Sequence, residues 1–209
     1  MTFAKEAPKN CNLCPRLVEY RNKNAAENPD WFNGPAPSFG DENANILVAG
    51  LAPGRMGANR TGRPFTGDYA GELLYQTLKK FGLMFGEYKA DPLDGIELKN
   101  VIISNVVRCA PPENKPTPQE ISICSGFLKA RLAALPKLHT IICLGKISHD
   151  SIIRTLGAKP SQYKFAHAAE HIIGNYRIVD SYHCSRYNTQ TNRLTTPMFE
   201  NVFSIALKN

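Results

Sequence analysis

Residues 101–145, VIISNVVRCAPPENKPTPQEISICSGFLKARLAALPKLHTIICLG, decide the fold of this chain. They begin with a β-branched run, Val101–Val107, and end with a second apolar run, Thr140–Leu144, which is closed by a glycine. Runs of this length and composition predict buried strands. Between them, Thr117-Pro-Gln-Glu120 supplies an N-cap threonine, a proline at the first helical position and a glutamate three residues after the cap. These signals open a helix, so the segment predicts a strand–helix–strand unit.

Strands and helices alternate along the rest of the chain as well. Apolar runs at Asn45–Gly50 and Tyr176–Tyr182 predict two further strands, and apolar residues recur at helical spacing between the strands. This alternation is typical of a parallel sheet with helices on both faces. Sites in such sheets lie in the loops after the carboxyl ends of the strands, which here are Leu51–Asp68, Arg108–Pro118 and His183–Thr196.

Composition narrows the class of protein. The chain has 209 residues, 43% hydrophobic and 21% charged, which predicts one globular domain and excludes a disordered or fibrous chain. No apolar run is long enough to cross a membrane and the first residues contain no secretory signal, so we expect a cytoplasmic protein. The net charge of +7 favours a polyanionic partner, nucleic acid before a membrane surface.

Four of the six cysteines form a pattern of metal ligands. Cys11 and Cys14 form a C-x2-C pair, and Cys109 and Cys124 follow after a long gap. Two such pairs meeting in the fold would complete a four-thiolate site, and the spacing alone does not distinguish Zn²⁺ from an iron–sulfur cluster. Residues 1–45, which carry the first pair, are polar and predict an extended cover on the main body, with a short helix near Cys14–Asn22.

The loops at the predicted carboxyl edge carry three unusual motifs. The first contains GLAPG and NRTGRPFTGD, a glycine-rich stretch that lacks the Gly-Lys-Ser/Thr ending of a Walker A loop. The second reads RCAPPENKPTP, and the third, HCSRYNTQTNRLT, is dense in hydrogen-bond donors and acceptors. Glycine-rich backbone allows close approach to a ligand and exposes its N–H groups.

Together, these motifs and the cysteine spacing resemble the uracil-DNA glycosylase superfamily, and are most similar to its fifth family, the iron–sulfur glycosylases. The resemblance runs from Cys11 to about Phe199. It implies a three-layer α/β/α fold around a central four-stranded parallel sheet, in a single domain of residues 1–209. It also implies that the N-terminal extension helps to hold a [4Fe–4S] cluster. The cluster ligands would be Cys11, Cys14, Cys109 and Cys124.

The activity that this resemblance implies is hydrolysis of the N-glycosidic bond of uracil in DNA by a monomeric enzyme, leaving an abasic site. Other deaminated or modified bases could be further substrates. Such a reaction builds negative charge on the departing base and positive charge on the sugar. It therefore requires a donor at the base oxygen, a negative group near the sugar and a positioned water. The target base must also leave the duplex and enter a pocket.

Three residues are candidates for the chemical step. By resemblance, His183 donates to a carbonyl oxygen of the pyrimidine, Asp68 steadies the sugar cation or orients water, and Asn114 helps to place the water. Simpler alternatives exist for each of these residues. His183 could cap a strand end, Asp68 could be the N-cap of the following helix, and Asn114 could be a turn residue.

The substrate-binding residues also follow from the resemblance. Phe65 would stack on the extruded base, unless it is a core aromatic. Asn105 would read the edge of the base, unless its amide bonds to backbone. Arg186 and Tyr187 would enter the base stack, unless they form an exposed loop tip. The full expected set is Gly50, Ala52, Gly54, Phe65, Asn105, Ser185, Arg186, Tyr187, Asn188 and Gln190.

The chain departs from the family pattern at two places, and two other classes of function remain. The fourth family has a carboxylate in its first motif where this chain has GLAPG, and Cys184 replaces the usual apolar residue after the histidine. One alternative is a phosphate-loop nucleotide hydrolase, which needs carboxylates for Mg²⁺ beyond Asp68. The other is a non-catalytic nucleic-acid-binding module with structural zinc, which does not need the residues of the His183–Gln190 segment.

Overall fold

The computed structural model describes residues 3–208, so residues 1, 2 and 209 of the predicted domain lie outside the described part. Within residues 3–208, the four predicted strands alternate with helices as predicted, and further short strands and helices lie between them. The strands are β1 Phe39–Gly40, β2 Ile46–Gly50, β3 Met84–Phe85, β4 Glu97–Leu98, β5 Val101–Asn105, β6 Thr140–Leu144, β7 Glu170–Ile173 and β8 Tyr176–Ser181. The helices are α1 Pro15–Glu27, α2 Ala58–Thr61, α3 Tyr69–Lys80, α4 Pro118–Ala133, α5 Lys146–Thr155, α6 Arg186–Gln190 and α7 Thr196–Ala206.

Four parallel strands form the centre of the main sheet, which confirms the predicted core. The strand order is β1-β5-β2-β6-β8-β7, and β5, β2, β6 and β8 pair in parallel. In this register Ile46 lies opposite Val101 on one side and Thr140 on the other. The sheet is wider than predicted, because short antiparallel strands extend both edges, β1 beside β5 and β7 beside β8.

Side chains alternate across this sheet, and helices cover both faces. Ile46 and Val48 belong to the core formed with α3 and α7, whereas Leu47 and Ala49 belong to the core formed with α1, α4 and α5. Successive residues of a strand point to opposite faces, so a strand buried on both sides is apolar throughout. The predicted three-layer α/β/α arrangement is therefore confirmed.

The capping box predicted from Thr117-Pro-Gln-Glu120 is present at the start of α4. The Thr117 hydroxyl accepts from the Glu120 backbone N–H at 3.2 Å, and the Glu120 carboxylate accepts from the Thr117 N–H at 2.7 Å. Glu120 also forms an ion pair of 2.7 Å with Arg16 of α1. One carboxylate thus stabilises the start of α4 and joins it to the N-terminal helix.

The segment before α1 is attached to the body through a buried ion network. Arg108 and Arg131 are both fully buried, and the Glu6 carboxylate contacts both guanidinium groups. Glu42 adds a second carboxylate on Arg131, with an N–O distance of 2.8 Å. A buried guanidinium without a carboxylate would be strongly unfavourable, so the N-terminal segment completes the core beneath it.

Candidate functional site

The three loops at the carboxyl edge of the central strands enclose a cavity of about 350 Å³. Their convergence follows from the parallel order of β5, β2 and β8, whose carboxyl ends lie at one edge of the sheet. The residues that line the cavity are Leu51, Ala52, Pro53, Gly54, Phe65, Asp68, Tyr69, Ala70, Asn105, Asn114, His183, Ser185 and Arg186. The structure thus brings all three predicted catalytic residues to one cavity.

His183 is placed by the end of β8 and presents an unpaired imidazole to the cavity. Within residues 3–208, neither ring nitrogen has a hydrogen-bond partner, so the strand-cap alternative finds no support. Burial lowers the pKa of His183 to about 4, because the pocket wall removes water from the ring. The imidazole is therefore neutral at physiological pH, with one N–H to donate and one nitrogen to accept.

Asp68 combines two roles that the sequence presents as alternatives. Its carboxylate Oδ1 accepts from the Gly71 backbone N–H at 3.2 Å, which makes it the N-cap of α3. The same side chain lines the cavity. Burial raises the pKa of Asp68, whereas hydrogen bonds from backbone N–H groups of α3 oppose that rise. The cap therefore fixes the position of a carboxylate at the cavity wall.

Asn105 ends β5 and carries an amide oxygen without a partner. Its side chain is buried, and Oδ1 has no hydrogen-bond partner within residues 3–208. A buried polar atom left in this way is rare and costly, so it is a signal that a ligand completes the bond. Gly50 of the neighbouring strand makes room for this amide, since a Cβ there would lie 2.4 Å from Asn105 Oδ1.

Phe65 is both a core residue and a cavity residue. Its ring is buried in the cluster that includes α3 and α7, and it also lines the cavity. The ring stacks against His183 with centroids 6.0 Å apart and an interplanar angle of 28°. A planar ligand in the cavity would therefore meet one aromatic face and one neutral imidazole.

Other predicted site residues lie at the rim of the cavity or beside it. Asn114 is exposed on a short 3-10 helix, in a left-handed conformation with φ of 57°, and lines the cavity from the turn. The Arg186 guanidinium lies 5.0 Å from the centroid of the Tyr69 ring. Tyr187 is 70% exposed on α6. The loop tip therefore presents a cation and an aromatic ring to solvent beside the cavity.

Three residues of the predicted substrate set on the last loop do not line the cavity, and neither does Gly50 behind Asn105. Asn188 donates from Nδ2 to the His183 carbonyl at 2.8 Å, a contact that shapes the loop. Gln190 is exposed at the end of α6, one turn after the exposed Tyr187. Of the cavity residues that sequence reasoning missed, Tyr69 had the clearest signal, because it directly follows Asp68 and precedes an apolar helix face.

The four cysteines of the predicted metal site surround a second, small cavity. Cys11 and Cys14 precede α1, Cys109 follows β5, and Cys124 lies on the buried face of α4. The other lining residues are apolar apart from Arg108, with no carboxylate among them. The pair before α1 lies far from Cys109 and Cys124 in sequence, and the fold brings all four to this cavity.

The surroundings of these thiols suit a group that binds sulfur as thiolate. Arg21 Nη1 lies 3.9 Å from Cys109 Sγ, and the Arg108 backbone N–H donates to Cys124 Sγ at 3.3 Å. Burial raises the pKa of Cys109 to about 12 and that of Cys124 to about 11, so the free thiols are protonated at neutral pH. A metal that binds here must displace those protons, and the nearby donors favour the resulting charge.

The two other cysteines lie outside this group. Cys143 is fully buried in the middle of β6, as its apolar strand predicts. Cys184 is fully buried in the core that includes α3 and α7, where burial and the charge of Asp68 raise its pKa. Both act as small apolar side chains, and Cys184 does not line the cavity.

A second group of side chains of metal-ligand type is formed by one residue each of α5, β7 and β8. Ring nitrogens of His149 and His171 and a carboxylate oxygen of Asp180 lie within 4.8 Å of one another. In the structure these atoms are joined by hydrogen bonds, with His149 Nδ1 2.7 Å and His171 Nε2 3.3 Å from the Asp180 oxygens. The group is therefore internally paired, unlike the side chains of the cavity.

No helix in residues 3–208 combines the length and the apolar character that a membrane span requires.

The fold and the cavity together define an α/β protein whose cavity, at the carboxyl edge of its sheet, is lined by an aromatic ring, an imidazole and an amide. Comparison with known proteins identifies the family. The model of the uracil DNA glycosylase superfamily matches residues 37–206. The type-5 uracil-DNA glycosylase of Thermus thermophilus is 43% identical over 195 residues, which cover 90% of this chain and 89% of that protein.

Two proteins of Pyrobaculum aerophilum extend the comparison. Its type-5 uracil-DNA glycosylase is 37% identical, covering 89% of this chain and 83% of that protein. Its type-4 uracil-DNA glycosylase is 34% identical, covering 74% of this chain and 65% of that protein. The chain belongs to the uracil-DNA glycosylase superfamily, among the type-5 uracil-DNA glycosylases.

Proposed function

We propose that this chain removes uracil from DNA by hydrolysing its N-glycosidic bond, which leaves an abasic site. The observation that carries the proposal is the pairing of unsatisfied polar groups in one cavity. Asn105 Oδ1 and the His183 ring both lack partners within residues 3–208, and both belong to the same cavity. Membership of the superfamily supplies the reaction class to which such a cavity is suited.

Recognition of the base rests on Asn105 and Phe65. An amide offers one acceptor and one donor side by side, which matches the N–H and carbonyl of the uracil edge. Cytosine presents the reverse order at the same edge, so a fixed amide discriminates between the two bases. The Phe65 ring supplies a stacking surface for the extruded base, beside the imidazole.

His183 stabilises the departing base. Because burial lowers its pKa to about 4, it acts as a neutral hydrogen-bond donor rather than as an imidazolium. Its N–H donates a hydrogen bond to a pyrimidine carbonyl oxygen, and this bond strengthens as negative charge builds on that oxygen. Such a donor in a water-poor pocket lowers the barrier mainly in the transition state.

Asp68 and Asn114 act on the sugar side. The Asp68 carboxylate, held by its cap on α3, supplies a negative group for the cationic sugar and an acceptor for the attacking water. The Asn114 amide also lines the cavity and shares the placement of that water, together with the backbone of residues 51–54. Arg186 and Tyr187, exposed beside the opening, would occupy the gap that the extruded base leaves.

The partner is DNA, and we expect the enzyme to act on it as a cytoplasmic monomer. The net charge of +7 favours phosphate contacts. The logarithm of the observed affinity for a uracil-containing duplex should therefore fall linearly with the logarithm of the salt concentration. Affinity that is independent of salt would contradict DNA as the partner.

The four-cysteine cavity is proposed to hold a [4Fe–4S] cluster. Within residues 3–208, no three of these sulfurs lie within 4.8 Å of one another. Tetrahedral zinc with bonds of about 2.3 Å would hold its sulfurs about 3.8 Å apart, so the wider spacing favours a cluster whose thiolates bind separate irons. The cluster would supply the bond that fastens residues 11–14 to the loop after β5 and to α4.

The cluster is tested by metal analysis of anaerobically purified protein. We expect a brown protein with iron and sulfide. Cys109→Ser should lose the cluster and stability, whereas Cys143→Ser is the matched control and should keep both. Stoichiometric zinc without iron would show that the cluster assignment is wrong.

The function is tested with oligonucleotides that carry a single uracil, thymine or cytosine, followed by alkaline cleavage of abasic sites. We expect cleavage at uracil and none at the two normal bases. Binding without base release would favour the non-catalytic module, and nucleotide hydrolysis in place of base release would favour the phosphate-loop hydrolase. Neither alternative is favoured by the cavity, whose lining contains one carboxylate, Asp68, among the described residues.

A further inference from the structure

Phe65 has a backbone conformation that its side chain does not favour. Its φ is +53°, in the left-handed region, where a bulky residue is an outlier. Such a conformation is maintained only where surrounding contacts hold it, and it is common where strain serves a site. The contacts that hold Phe65 therefore determine where its ring lies in the cavity.

Two tyrosine hydroxyls bond the carbonyls on either side of the Phe65 Cα. Tyr75 donates to the Pro64 carbonyl at 2.8 Å, and Tyr88 donates to the Phe65 carbonyl at 3.1 Å. The two tyrosine rings stack with centroids 4.4 Å apart. Burial raises the pKa of Tyr88 to about 12 and raises that of Tyr75 as well, so both hydroxyls remain donors.

A buried ion pair fixes the tyrosine rings in turn. The Arg63 guanidinium binds both Asp94 carboxylate oxygens, at 2.7 and 2.8 Å, and lies over the rings of Tyr75 and Tyr88 at 5.5 and 5.8 Å. Tyr88 and Asp94 both belong to the segment between β3 and β4, outside the three loops of the cavity. This hairpin thus reaches the site through Phe65.

Helix α3 leaves room for this arrangement only because residue 71 is glycine. A Cβ at Gly71 would lie 1.9 Å from the Phe65 carbonyl oxygen and 2.6 Å from the Tyr88 hydroxyl. The Phe65 carbonyl, the Tyr88 hydroxyl and the backbone of α3 are therefore tightly packed against one another. Packing of this density transmits a displacement of the hydroxyl directly to the Phe65 backbone.

We propose that Tyr88 is a positioning residue that, with Tyr75, holds Phe65 in its left-handed conformation and so sets the stacking surface for the base. The inference rests on the proposed function, because it takes the ligand of the cavity to be an extruded base. Phe65 would stack on the base both before and during bond cleavage. Loss of the clamp should therefore weaken base binding while the barrier of the bound state changes little.

The test is Tyr88→Phe, which removes one hydroxyl and keeps the ring that stacks on Tyr75. In single-turnover reactions on a uracil-containing duplex, we expect the half-saturating enzyme concentration to rise about 3- to 10-fold, the range for one lost hydrogen bond. The maximal rate should stay within about twofold. Tyr176→Phe, at the opposite end of β8, is the matched control and should change neither value.

A double-mutant cycle distinguishes positioning from a merely structural role. If Tyr88 acts through Phe65, Tyr88→Phe should have no further effect on half-saturation in a Phe65→Leu background. An equal effect in both backgrounds overturns the proposal. So does a lower maximal rate at unchanged half-saturation, because that result places the loss in bond cleavage rather than in base binding. Enzyme concentrations are those of folded protein, since an unfolded fraction would itself raise the apparent half-saturating concentration. If Tyr88→Phe does not fold, Tyr75→Phe tests the second hydroxyl with the same readouts.

A crystal structure of Tyr88→Phe separates this inference from the proposed function. Should the unmutated protein release no uracil, the proposed function fails, and the clamp is then judged on the backbone of Phe65 alone. We expect Phe65 to leave the left-handed region or its ring to shift within the cavity. An unchanged φ and ring position in the variant would overturn the clamp.

Discussion

Two clusters of polar side chains in and beside the main sheet differ in how their hydrogen bonds are completed. Under α5, His149, His171 and Asp180 bond to one another. At the carboxyl edge of the sheet, the His183 ring after β8 and Asn105 Oδ1 at the end of β5 have no hydrogen-bond partners within residues 3–208. Residue types alone would nominate the first cluster as the site, since it groups two histidines and a carboxylate. The missing hydrogen-bond partners instead indicate that the second cluster is the site.

Proton placement explains why the first cluster is complete. His149 Nε2 lies 2.8 Å from the Tyr163 carbonyl, which only accepts, so this nitrogen carries a hydrogen. His149 Nδ1 lies 2.7 Å from an Asp180 oxygen and donates to it as well. Both ring nitrogens therefore face acceptors, which favours the protonated imidazole, and Asp180 is what chiefly opposes the effect of burial and raises the pKa of His149.

Mutual pairing thus accompanies a structural role, whereas Asn105 Oδ1 lacks a partner within residues 3–208 and faces a cavity. Nitrogens of the buried Arg108 and Arg131 also lack partners in this part of the chain. Carboxylates of Glu6 and Glu42 neutralise those guanidinium groups, so a missing partner indicates a binding site only where it faces a cavity.

The largest effect expected from this comparison is a loss of stability in Asp180→Asn. Removing one partner of a buried ion pair leaves the other charge uncompensated, which costs about 3–5 kcal/mol of unfolding free energy. The rate of uracil release per folded molecule should be unchanged. Urea unfolding and single-turnover kinetics on the same preparation measure both quantities. A slower rate in the folded fraction would show that this cluster contributes to function and that its role is not only structural.

His183→Ala should have the opposite signature. Loss of one donor aimed at developing negative charge lowers the rate about 100- to 1000-fold, or about 2.7–4 kcal/mol in the barrier. Affinity for the DNA and the melting temperature should change little, because within residues 3–208 the ring has no hydrogen-bond partner to lose and only the stack on Phe65 is removed. Release of uracil at the unmutated rate would show that the mechanism proposed here is wrong.

Asp68→Asn separates the structural and catalytic roles of this residue, because asparagine keeps the N-cap and removes the charge. The rate should fall by less than in His183→Ala, since Asn114 and nearby backbone share the placement of water. In the unmutated enzyme, the raised pKa of Asp68 should make the rate fall on acidification above the usual range of an aspartate. This acid limb should be absent from the variant.

Asp68→Ala is the matched control for the cap. It removes both the charge and the capping oxygen, so it should cost about 1 kcal/mol of stability beyond Asp68→Asn. Equal stability of the two variants, measured by urea unfolding, would show that the Asp68 cap does not stabilise α3. Equal rates in Asp68→Asn and the unmutated enzyme would remove the catalytic role.

The smallest expected effect is on the pH dependence of stability. The pKa of His149 is raised in the folded state, so its contribution is complete below about pH 6.5 and is lost as pH rises through the folded value. His183 and His167 have lowered pKa values in the folded state. They therefore reduce the unfolding free energy only below about pH 6.5, where the unfolded chain binds protons that the folded chain does not. The unfolding free energy should therefore fall as the pH rises above about 6.5 towards the raised folded pKa of His149, and His149→Gln should flatten that slope.

Much of the fold is predictable from local pattern. The four central strands are apolar on both faces, and Thr117 with Glu120 marks the start of α4 within the chain. The edge strands were missed because β1 has two residues and β7, Glu-His-Ile-Ile, has no apolar periodicity. Their pairing depends on the neighbouring strand rather than on their own sequence.

The site was predictable where motifs directly follow strands. His183 follows β8 and Asn105 ends β5, so their convergence follows from a parallel sheet. Tyr88 gave no such signal, because it reaches Phe65 from a hairpin distant from the three motifs. Asn188 illustrates the converse, since its place in a polar motif predicts a ligand contact while its amide bonds the His183 carbonyl. Side-chain direction and hydrogen-bond partner are properties of the folded chain.

The order of the sheet has a consequence for synthesis on the ribosome. Strand β2 is made early but lies in the middle of the sheet, where it pairs with β5 and β6. Glu6 is made earlier still, yet its partners are Arg108 and Arg131. A nascent chain must therefore carry an unpaired apolar strand and an unanchored N-terminus until α4 and β6 have emerged. Chaperones that bind exposed apolar strands would find β2 accessible for most of the time that translation takes.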